Sequence, residues 1–158
     1  MDYRVGFGYD SHRLSEGLPL VLGGVPVESS MGCIAHSDGD AVIHALCDAL
    51  LGAAALPDIG THFPDNDPAY KGIDSKILLQ KTVGLLQQQG WSVNNVDITI
   101  VLEKPKLMDY KMKMQQCLSA ILNLTVEQIA IKAKTNEKMG FVGKGEGVAV
   151  VVAVTIKK

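Results

Sequence analysis

Segments with helical periodicity alternate with strand-forming segments along this chain of 158 residues. From Asp40 to Ala55 the apolar positions recur every three or four residues, which predicts a helix capped by Asp38 or Asp40 and ended by Pro57. A second such pattern runs from Ser75 to Gln89. The alternation predicts an α/β (α+β) two-layer sandwich, with a mixed β-sheet and helices on one face.

Runs of β-branched and apolar residues predict the strands. The chain opens with an extended segment over 3–10, and residues 20–27 place two apolar runs around a Gly-Gly turn, which indicates a hairpin. A third helix is predicted around Leu118, and a short helix with a capping box over Thr125 to Gln128. Further strands are predicted over 96–102, 129–134 and 148–156, and a flexible glycine-rich turn over 140–147. The last strand is apolar on both faces, which indicates that subunits pack against the sheet.

The composition favours one domain over 1–158, built on an aliphatic core, since 47% of the residues are hydrophobic and only 5% are aromatic. A net charge of -2 gives no attraction for nucleic acid or anionic lipid, so neither partner is expected. No apolar run is long enough to span a bilayer and no signal pattern is present. We therefore expect a cytoplasmic protein, or one of a plastid-type organelle after processing. Three cysteines without a C-x-x-C pair indicate reduced, structural thiols.

Asp10, His12 and His44 are candidate metal ligands. Asp10 and His12 are two residues apart at the end of the first predicted strand, so their side chains leave the same face. His44 lies in the first turns of an apolar and therefore inward-facing helix. Three such ligands suit zinc, and also manganese or cobalt, and they leave a fourth position open, as in catalytic zinc sites. On spacing alone, Asp10 could instead cap a turn, His12 could be a surface residue and His44 a hydrogen-bonded core histidine.

Two other clusters of polar residues lie in predicted loops. Phe63-Pro-Asp-Asn-Asp67 forms one and Lys134-Thr-Asn-Glu-Lys138 the other. Carboxylates in such loops are usually solvated turn residues. Glu137 beside Thr135 could alternatively hold a magnesium ion that bridges two phosphates.

Several strings of residues occur in order along nearly the whole chain. They are Gly8-Tyr-Asp-Ser-His-Arg-Leu14, Gly23-Gly24, Ala35-His-Ser-Asp-Gly-Asp40, His44-Ala-Leu-Cys-Asp-Ala-Leu-Leu-Gly52, Asp58-Ile-Gly60, Phe63-Pro-Asp65, Pro105-Lys106 and Gly143-Lys-Gly-Glu-Gly147. Together they closely resemble the 2-C-methyl-D-erythritol 2,4-cyclodiphosphate synthase family, and the chain is identified as a member of it.

This resemblance implies an enzyme of the non-mevalonate route to isoprenoids. Such an enzyme converts 4-diphosphocytidyl-2-C-methyl-D-erythritol 2-phosphate to 2-C-methyl-D-erythritol 2,4-cyclodiphosphate and releases CMP. The 2-phosphate of the substrate attacks the β-phosphorus of the same molecule, so the protein has to position two phosphates and offset their charge. The resemblance further implies a homotrimer whose active sites are shared between neighbouring subunits.

The resemblance also assigns roles to individual residues. Asp10, His12 and His44 would bind zinc, and Glu137 would place magnesium or manganese across the diphosphate. The catalytic positions, which would stabilise the transition state, are His36 and Thr135. The positions that would bind substrate are Ser37, Asp58, Ile59, Gly60, Phe63, Pro64, Asp65, Asn66, Asp67, Leu102, Glu103, Lys104, Pro105, Lys106, Leu107, Met108, Lys134, Asn136, Phe141 and Lys144. The last two resemble positions around a cavity on the trimer axis, where relatives can hold an isoprenoid diphosphate.

Two other functions are compatible with the same ligands. In a zinc hydrolase the open metal position would activate water, with His36 or Asp38 as the general base. A non-catalytic trimeric module would bind cytidine nucleotides without turnover. The three retained metal ligands argue against that second alternative.

Overall fold

The computed structural model describes residues 1–158 and contains seven strands and five helices. The strands are β1 (Tyr3–Glu16), β2 (Leu20–Leu22), β3 (Val25–Val27), β4 (Met31–Cys33), β5 (Ser92–Val101), β6 (Ile129–Lys134) and β7 (Gly147–Lys157). The helices are α1 (Ala41–Ala53), α2 (Ile59–His62), α3 (Ser75–Gln88), α4 (Lys111–Leu122) and α5 (Gly140–Gly143). Short 3-10 turns lie at Pro68–Tyr70, Met108–Tyr110 and Val126–Gln128.

Five of the strands form one mixed sheet in the order β4-β1-β7-β5-β6. Strands β5 and β6 are parallel, and the other neighbours are antiparallel. The remaining strands, β2 and β3, form the hairpin predicted from the Gly-Gly turn. The predicted mixed sheet with helices on one face is confirmed, because α1, α3 and α4 all pack on the face that carries the buried residues of β5, β6 and β7.

Two glycines of β1 bring helix α1 unusually close to the sheet. A Cβ atom at Gly6 would lie 1.8 Å from the carbonyl oxygen of Ala49, and one at Gly8 would lie 1.9 Å from that of Ala45. Only glycine therefore allows the helix and strand to approach so closely. Because alternate residues of a strand share a face, Asp10 and His12 continue this inward-facing row beyond the glycines.

Three local features differ from the sequence-based expectations. Strand β1 continues past Asp10 to Glu16, because residues 3–13 pair with β7 and residues 14–16 pair with β4. Helix α2 was not predicted, since a single turn leaves too little periodicity to detect. The glycine-rich stretch was predicted as a flexible turn, but Gly140–Gly143 is a helical turn closed by hydrogen bonds from the amides of Gly143 and Lys144.

The opposite face of the sheet carries an exposed apolar stripe. Tyr3, Val5, Phe7 and Tyr9 of β1 point outward and are 51–74% exposed. Their neighbours on β7 include Val151 and Ala153, so the stripe extends across two strands. Contiguous apolar surface of this kind marks an interaction site in soluble proteins. None of the helices is both long and apolar enough to cross a membrane.

Candidate active site

The three predicted metal ligands meet where the first turns of α1 lie over β1. Nδ1 of His12 lies 2.9 Å from Oδ2 of Asp10, and Nδ1 of His44 lies 3.4 Å from the same oxygen. Three possible ligand atoms, one each from Asp10, His12 and His44, lie within 4.8 Å of one another. Zinc ligands have to lie close together in space, and the fold brings Asp10 and His44 together although they are 34 positions apart in the sequence.

Two of these ligand atoms are buried without a hydrogen-bond partner. They are Oδ2 of Asp10 and Nδ1 of His12, which approach each other closely without the alignment of a hydrogen bond. Buried polar atoms nearly always have a partner in native proteins. A cation shared by both atoms and His44 would satisfy them together, so the donor set fits a metal ion such as zinc.

The charge distribution also favours a cation at this point. Burial raises the pKa of Asp10, but the close imidazoles of His12 and His44 lower it by more, so the net shift is downward. Burial lowers the pKa of His44, but the Asp10 carboxylate and then the charges of Asp40 and Asp38 raise it above 6.5. The surrounding carboxylates therefore draw positive charge to this cluster.

A set of hydroxyl groups surrounds the other ring nitrogen of His44. Nε2 lies 3.0 Å from Oγ of Ser75 and 3.1 Å from Oγ of Ser37. The hydroxyl of Ser75 in turn donates to Oδ1 of Asp38. From the sequence, Ser75 is predicted only as the start of a helix, and Asp38 as a cap or a possible general base. Their contact spans 37 positions, which no local pattern can indicate.

The three ligands open into a cavity of about 490 Å³, called here the histidine cavity. Its walls include the predicted residues His36, Ser37, Ile59, Gly60, Phe63 and Asp65. Nε2 of His36 lies 3.0 Å from the carbonyl oxygen of Asp67, to which it donates. One end of the histidine cavity therefore carries the three candidate metal ligands, and the Phe63–Asp67 loop forms one of its walls.

An apolar wall of the histidine cavity was missed in the sequence. Ile34, Tyr70, Ile73 and Leu78 contribute to it. The rings of Phe63 and Tyr70 pack edge to face, with centroids 5.7 Å apart. Ile34 follows β4 and the other three lie within residues 70–78, so only the fold shows that the two segments face one space.

Asp58 supports the histidine cavity from outside its lining. Its Oδ1 accepts hydrogen bonds from the amide and hydroxyl of Thr61 and so caps α2. These bonds lower the pKa of the exposed Asp58 carboxyl. Asp48 fixes the same turn, because its Oδ1 accepts from the amide of Ile59 at 2.7 Å. Three other predicted positions, Pro64, Asn66 and Asp67, belong to the loop around this cavity but do not line it.

The other half of the predicted site lies elsewhere on the chain. A smaller cavity of about 160 Å³, called here the lysine cavity, shares no lining residue with the histidine cavity. Its predicted residues are Leu102, Glu103, Pro105, Lys106, Leu107, Met108, Lys134 and Thr135. Lys111 also lines it and was not predicted. Within one chain, the catalytic candidates His36 and Thr135 are therefore in different cavities.

The turn after β6 carries the remaining predicted residues. The amide of Asn136 donates to Oε1 of Glu103 at 2.6 Å, which ties this turn to the lysine cavity. Glu137 is exposed and has a left-handed φ of 52°. Lys104 and Lys144 line a neighbouring cavity of about 470 Å³, and Phe141 is 45% exposed.

Comparison with known proteins matches residues 3–157 to the model of the YgbB family. The chain belongs to the YgbB family. A relative from Brachyspira hyodysenteriae, named 2-C-methyl-D-erythritol 2,4-cyclodiphosphate synthase, is 53% identical over 155 residues, which are 98% of each chain. A relative of the same name from Porphyromonas gingivalis is 54% identical over 147 residues, covering 93% of this chain and 91% of that protein.

Solved structures support the same assignment to the YgbB family. A 2C-methyl-D-erythritol-2,4-cyclodiphosphate synthase with bound CDP matches with a TM-score of 0.90 and 38% identity, over 98% of this chain and all of that one. The bifunctional IspDF from Campylobacter jejuni matches with a TM-score of 0.95 and 42% identity. That match covers 99% of this chain but only 42% of IspDF. The mixed α+β fold and the family resemblance are both confirmed.

Proposed function

We propose that this protein is a metal-dependent 2-C-methyl-D-erythritol 2,4-cyclodiphosphate synthase. Its substrate is 4-diphosphocytidyl-2-C-methyl-D-erythritol 2-phosphate, and its products are the cyclic diphosphate and CMP. One observation carries the proposal: the Asp10, His12 and His44 cluster opens into a substrate-sized cavity in a chain of the YgbB family. Relatives at more than 50% identity over nearly the whole chain bear the name of this enzyme.

The reaction consumes no water. An oxygen of the 2-phosphate forms a bond to the β-phosphorus, and the bond from that phosphorus to the oxygen bridging to the α-phosphorus breaks. CMP leaves with the bridging oxygen and its electron pair. The protein therefore has to hold two phosphates in line and offset their charge.

Asp10, His12 and His44 would hold zinc, and Glu137 would hold magnesium or manganese. When bound, these cations supply Lewis-acid polarisation of phosphate oxygens and offset the charge of the transition state. The buried Oδ2 of Asp10 and Nδ1 of His12, neither of which has a hydrogen-bond partner, support the first of these sites. The exposed position of Glu137 beside Thr135 is compatible with the second.

Side chains of the histidine cavity would bind and orient the erythritol part of the substrate. His36 donates from Nε2 to the backbone of Asp67, so its Nδ1 is the ring atom left for a substrate oxygen. The hydroxyl of Ser37 can bond to another oxygen. The apolar side chains of Ile59 and Phe63 suit the methyl-bearing carbon skeleton.

Side chains of the lysine cavity would bind the CMP part of the substrate. Lys106 and Lys134 supply positive charge near the α-phosphate, which leaves as part of CMP, and near the β-phosphate to which it is joined in the substrate. Thr135 in the same cavity would stabilise the transition state by hydrogen bonding. The small, partly apolar space between Leu102 and Met108 suits a flat base.

A homotrimer in which each chain is one domain over 1–158 would complete the site. The two cavities are separate within one chain, so a single substrate needs the histidine cavity of one subunit beside the lysine cavity of another. The exposed apolar stripe on β1 and β7 supports packing between subunits. Phe141 and Lys144 would then lie toward the trimer axis.

The surroundings of Asp38 remove one of the two general bases, His36 and Asp38, that a zinc hydrolase could use. Oδ1 accepts from the hydroxyl of Ser75 and the amide of Asp40, and Oδ2 accepts from the amide of Ser75. Asp38 does not line the histidine cavity. A general base for water needs a free oxygen within reach of that water, which Asp38 does not offer.

Phosphorus NMR of the products tests this proposal. With zinc and magnesium present, we expect coupled signals of a cyclic diphosphate together with CMP. His44→Ala should abolish both products, whereas His62→Ala, which changes a histidine outside the ligand set, should retain activity within about threefold. Linear phosphate products, or full activity of His44→Ala, would refute the proposal.

A further inference from the structure

The Nε2 side of the His44 ring has its own set of hydrogen-bonding neighbours. Ser75, the first residue of α3, has no exposed surface, and its Oγ lies 3.0 Å from Nε2 of His44. The same hydroxyl contacts Oδ1 of Asp38, and the amide of Ser75 donates to Oδ2 of Asp38 at 2.9 Å. The Asp38 carboxylate thus accepts hydrogen bonds from both the amide and the hydroxyl of Ser75.

The direction of these hydrogen bonds follows from what each group can do. An ionised carboxylate only accepts, so the proton of the Ser75 hydroxyl lies toward Asp38. The oxygen of Ser75 then has only lone pairs to offer to His44. Nε2 of His44 must therefore carry a proton, and Nδ1 is then the ring nitrogen that can offer its lone pair to a cation.

The opposite proton arrangement leaves a repulsive contact. If Nδ1 carried the proton, Nε2 would have a lone pair facing the lone pairs of Ser75 at 3.0 Å. Ser37 could donate its hydroxyl proton to Nε2 at 3.1 Å, but it could not relieve the contact with Ser75. With a cation on the Nδ1 side, the buried Ser75 and the partly buried Asp38 therefore select the tautomer that is protonated on Nε2.

We propose that Ser75 and Asp38 are positioning residues for the metal site. They keep a proton on Nε2 of His44, so that the Nδ1 lone pair is available to a cation shared with Asp10, and they fix the orientation of the ring from its Nε2 side. Hydrogen bonding to the second nitrogen of a ligating histidine is known to raise its basicity and fix its orientation. The inference rests on the metal site of the proposed function, but not on the identity of the reaction.

Zinc affinity measures this role without reference to turnover. Ser75→Ala and Asp38→Asn should each weaken zinc binding by about 10- to 100-fold in competition with a chromophoric chelator. The double variant should lose little more than either single variant, because both changes break the same chain of hydrogen bonds. Ser75→Thr keeps the hydroxyl and should retain more of the affinity than Ser75→Ala.

Asp74→Ala is the matched control. Asp74 caps the same helix end through the amide of Lys76, but it does not contact His44 or Asp38. Loosening the start of α3 in this way should leave zinc affinity within about threefold of wild type. An equal loss in Asp74→Ala and Ser75→Ala would mean that helix stability alone matters, and would overturn the inference.

The wild-type protein provides a second measurement that needs no variant. Nitrogen NMR of zinc-loaded protein labelled in histidine should show His44 protonated on Nε2 and bound to zinc through Nδ1. A proton on Nδ1 would overturn the inference. Failure of wild-type protein to bind zinc would remove the metal site itself, whereas normal binding by both wild type and Ser75→Ala would overturn only the positioning role.

Discussion

The imidazole Nδ1 of His44 lies 3.4 Å from a carboxylate oxygen of Asp10, across the contact between helix α1 and strand β1. This distance depends on the glycines beneath the helix. At Gly8 an added Cβ would lie 1.9 Å from the carbonyl oxygen of Ala45, the residue after His44. The close packing of α1 on β1 therefore sets the distance between the candidate metal ligands on the two elements.

Gly8→Ala should consequently impair both stability and metal binding. The new methyl group meets backbone that cannot move independently, so we expect a loss of about 1–3 kcal/mol in the free energy of unfolding. Displacement of α1 should weaken zinc binding as well. Urea denaturation and chelator competition measure the two effects.

Gly84→Ala is the control for the Gly8 variant. A Cβ at Gly84 meets nothing within 4 Å, and Gly84 lies inside α3. Alanine there should leave the free energy of unfolding unchanged or raise it by up to about 1 kcal/mol. Equal effects of the two substitutions would contradict the close-packing explanation.

Complementation between inactive chains tests whether each active site is shared. His44→Ala damages the histidine cavity and Thr135→Ala the lysine cavity. When the two variants are refolded together in equal amounts, about a quarter of the sites in a cyclic trimer should combine two intact halves. The mixture should therefore regain activity that neither variant has alone.

Analytical ultracentrifugation of the same preparation should give a mass of about 51 kDa, three times the 16.9 kDa of the chain. Activity no higher than that of the separate variants, in a mixture with this mass, would show that each site belongs to one chain. A monomeric mass would contradict the proposed homotrimer.

Ionisation of the buried Asp40 carboxyl should lower the free energy of unfolding as the pH rises from about 4 to 6. Burial raises the pKa of this carboxyl from 3.8 to about 6, although the amides of Ile43, Gly24 and Gly23 donate to it and oppose the shift. Between these values the folded chain holds a proton that the unfolded chain has released. Raising the pH through this window therefore lowers the free energy of unfolding, by roughly 2–3 kcal/mol for this group.

Asp40→Asn removes the titration while keeping the size of the side chain. Its free energy of unfolding should fall less steeply than that of wild type over the same pH range. Asp74→Asn, a change at an exposed helix cap, should keep the wild-type slope. Parallel curves for wild type and Asp40→Asn would show that Asp40 does not titrate in this window.

Periodicity in the sequence was enough to place the three candidate metal ligands on the right faces, although spacing alone left their role open. The period of two on a strand put Asp10 and His12 on one face, and the apolar pattern of α1 turned His44 inward. The bounds of the long helices were also close, with Ser75–Gln88 observed where a helix to Gln89 was predicted. These features depend on neighbours within a few positions, which a sequence displays directly.

Features that depend on distant contacts were missed. Ser75 supports His44 through Asp38, which is 37 positions away from Ser75 in the sequence. The outward row on β1 was not recognised as an apolar surface, because Phe7 and its neighbours look like any strand until the helices are placed on the other face. The separation of Thr135 from the histidine cavity likewise appears only in the fold.

The reaction carried out in water enriched in oxygen-18 distinguishes ring closure from hydrolysis at this site. Mass spectrometry of the products identifies the source of the new oxygen on phosphorus. Because the 2-phosphate itself attacks and CMP leaves with the bridging oxygen, we expect a cyclic diphosphate and CMP that both lack oxygen-18. Incorporation of oxygen-18 into either product, with linear phosphates in place of the ring, would contradict the cyclase and establish a hydrolase.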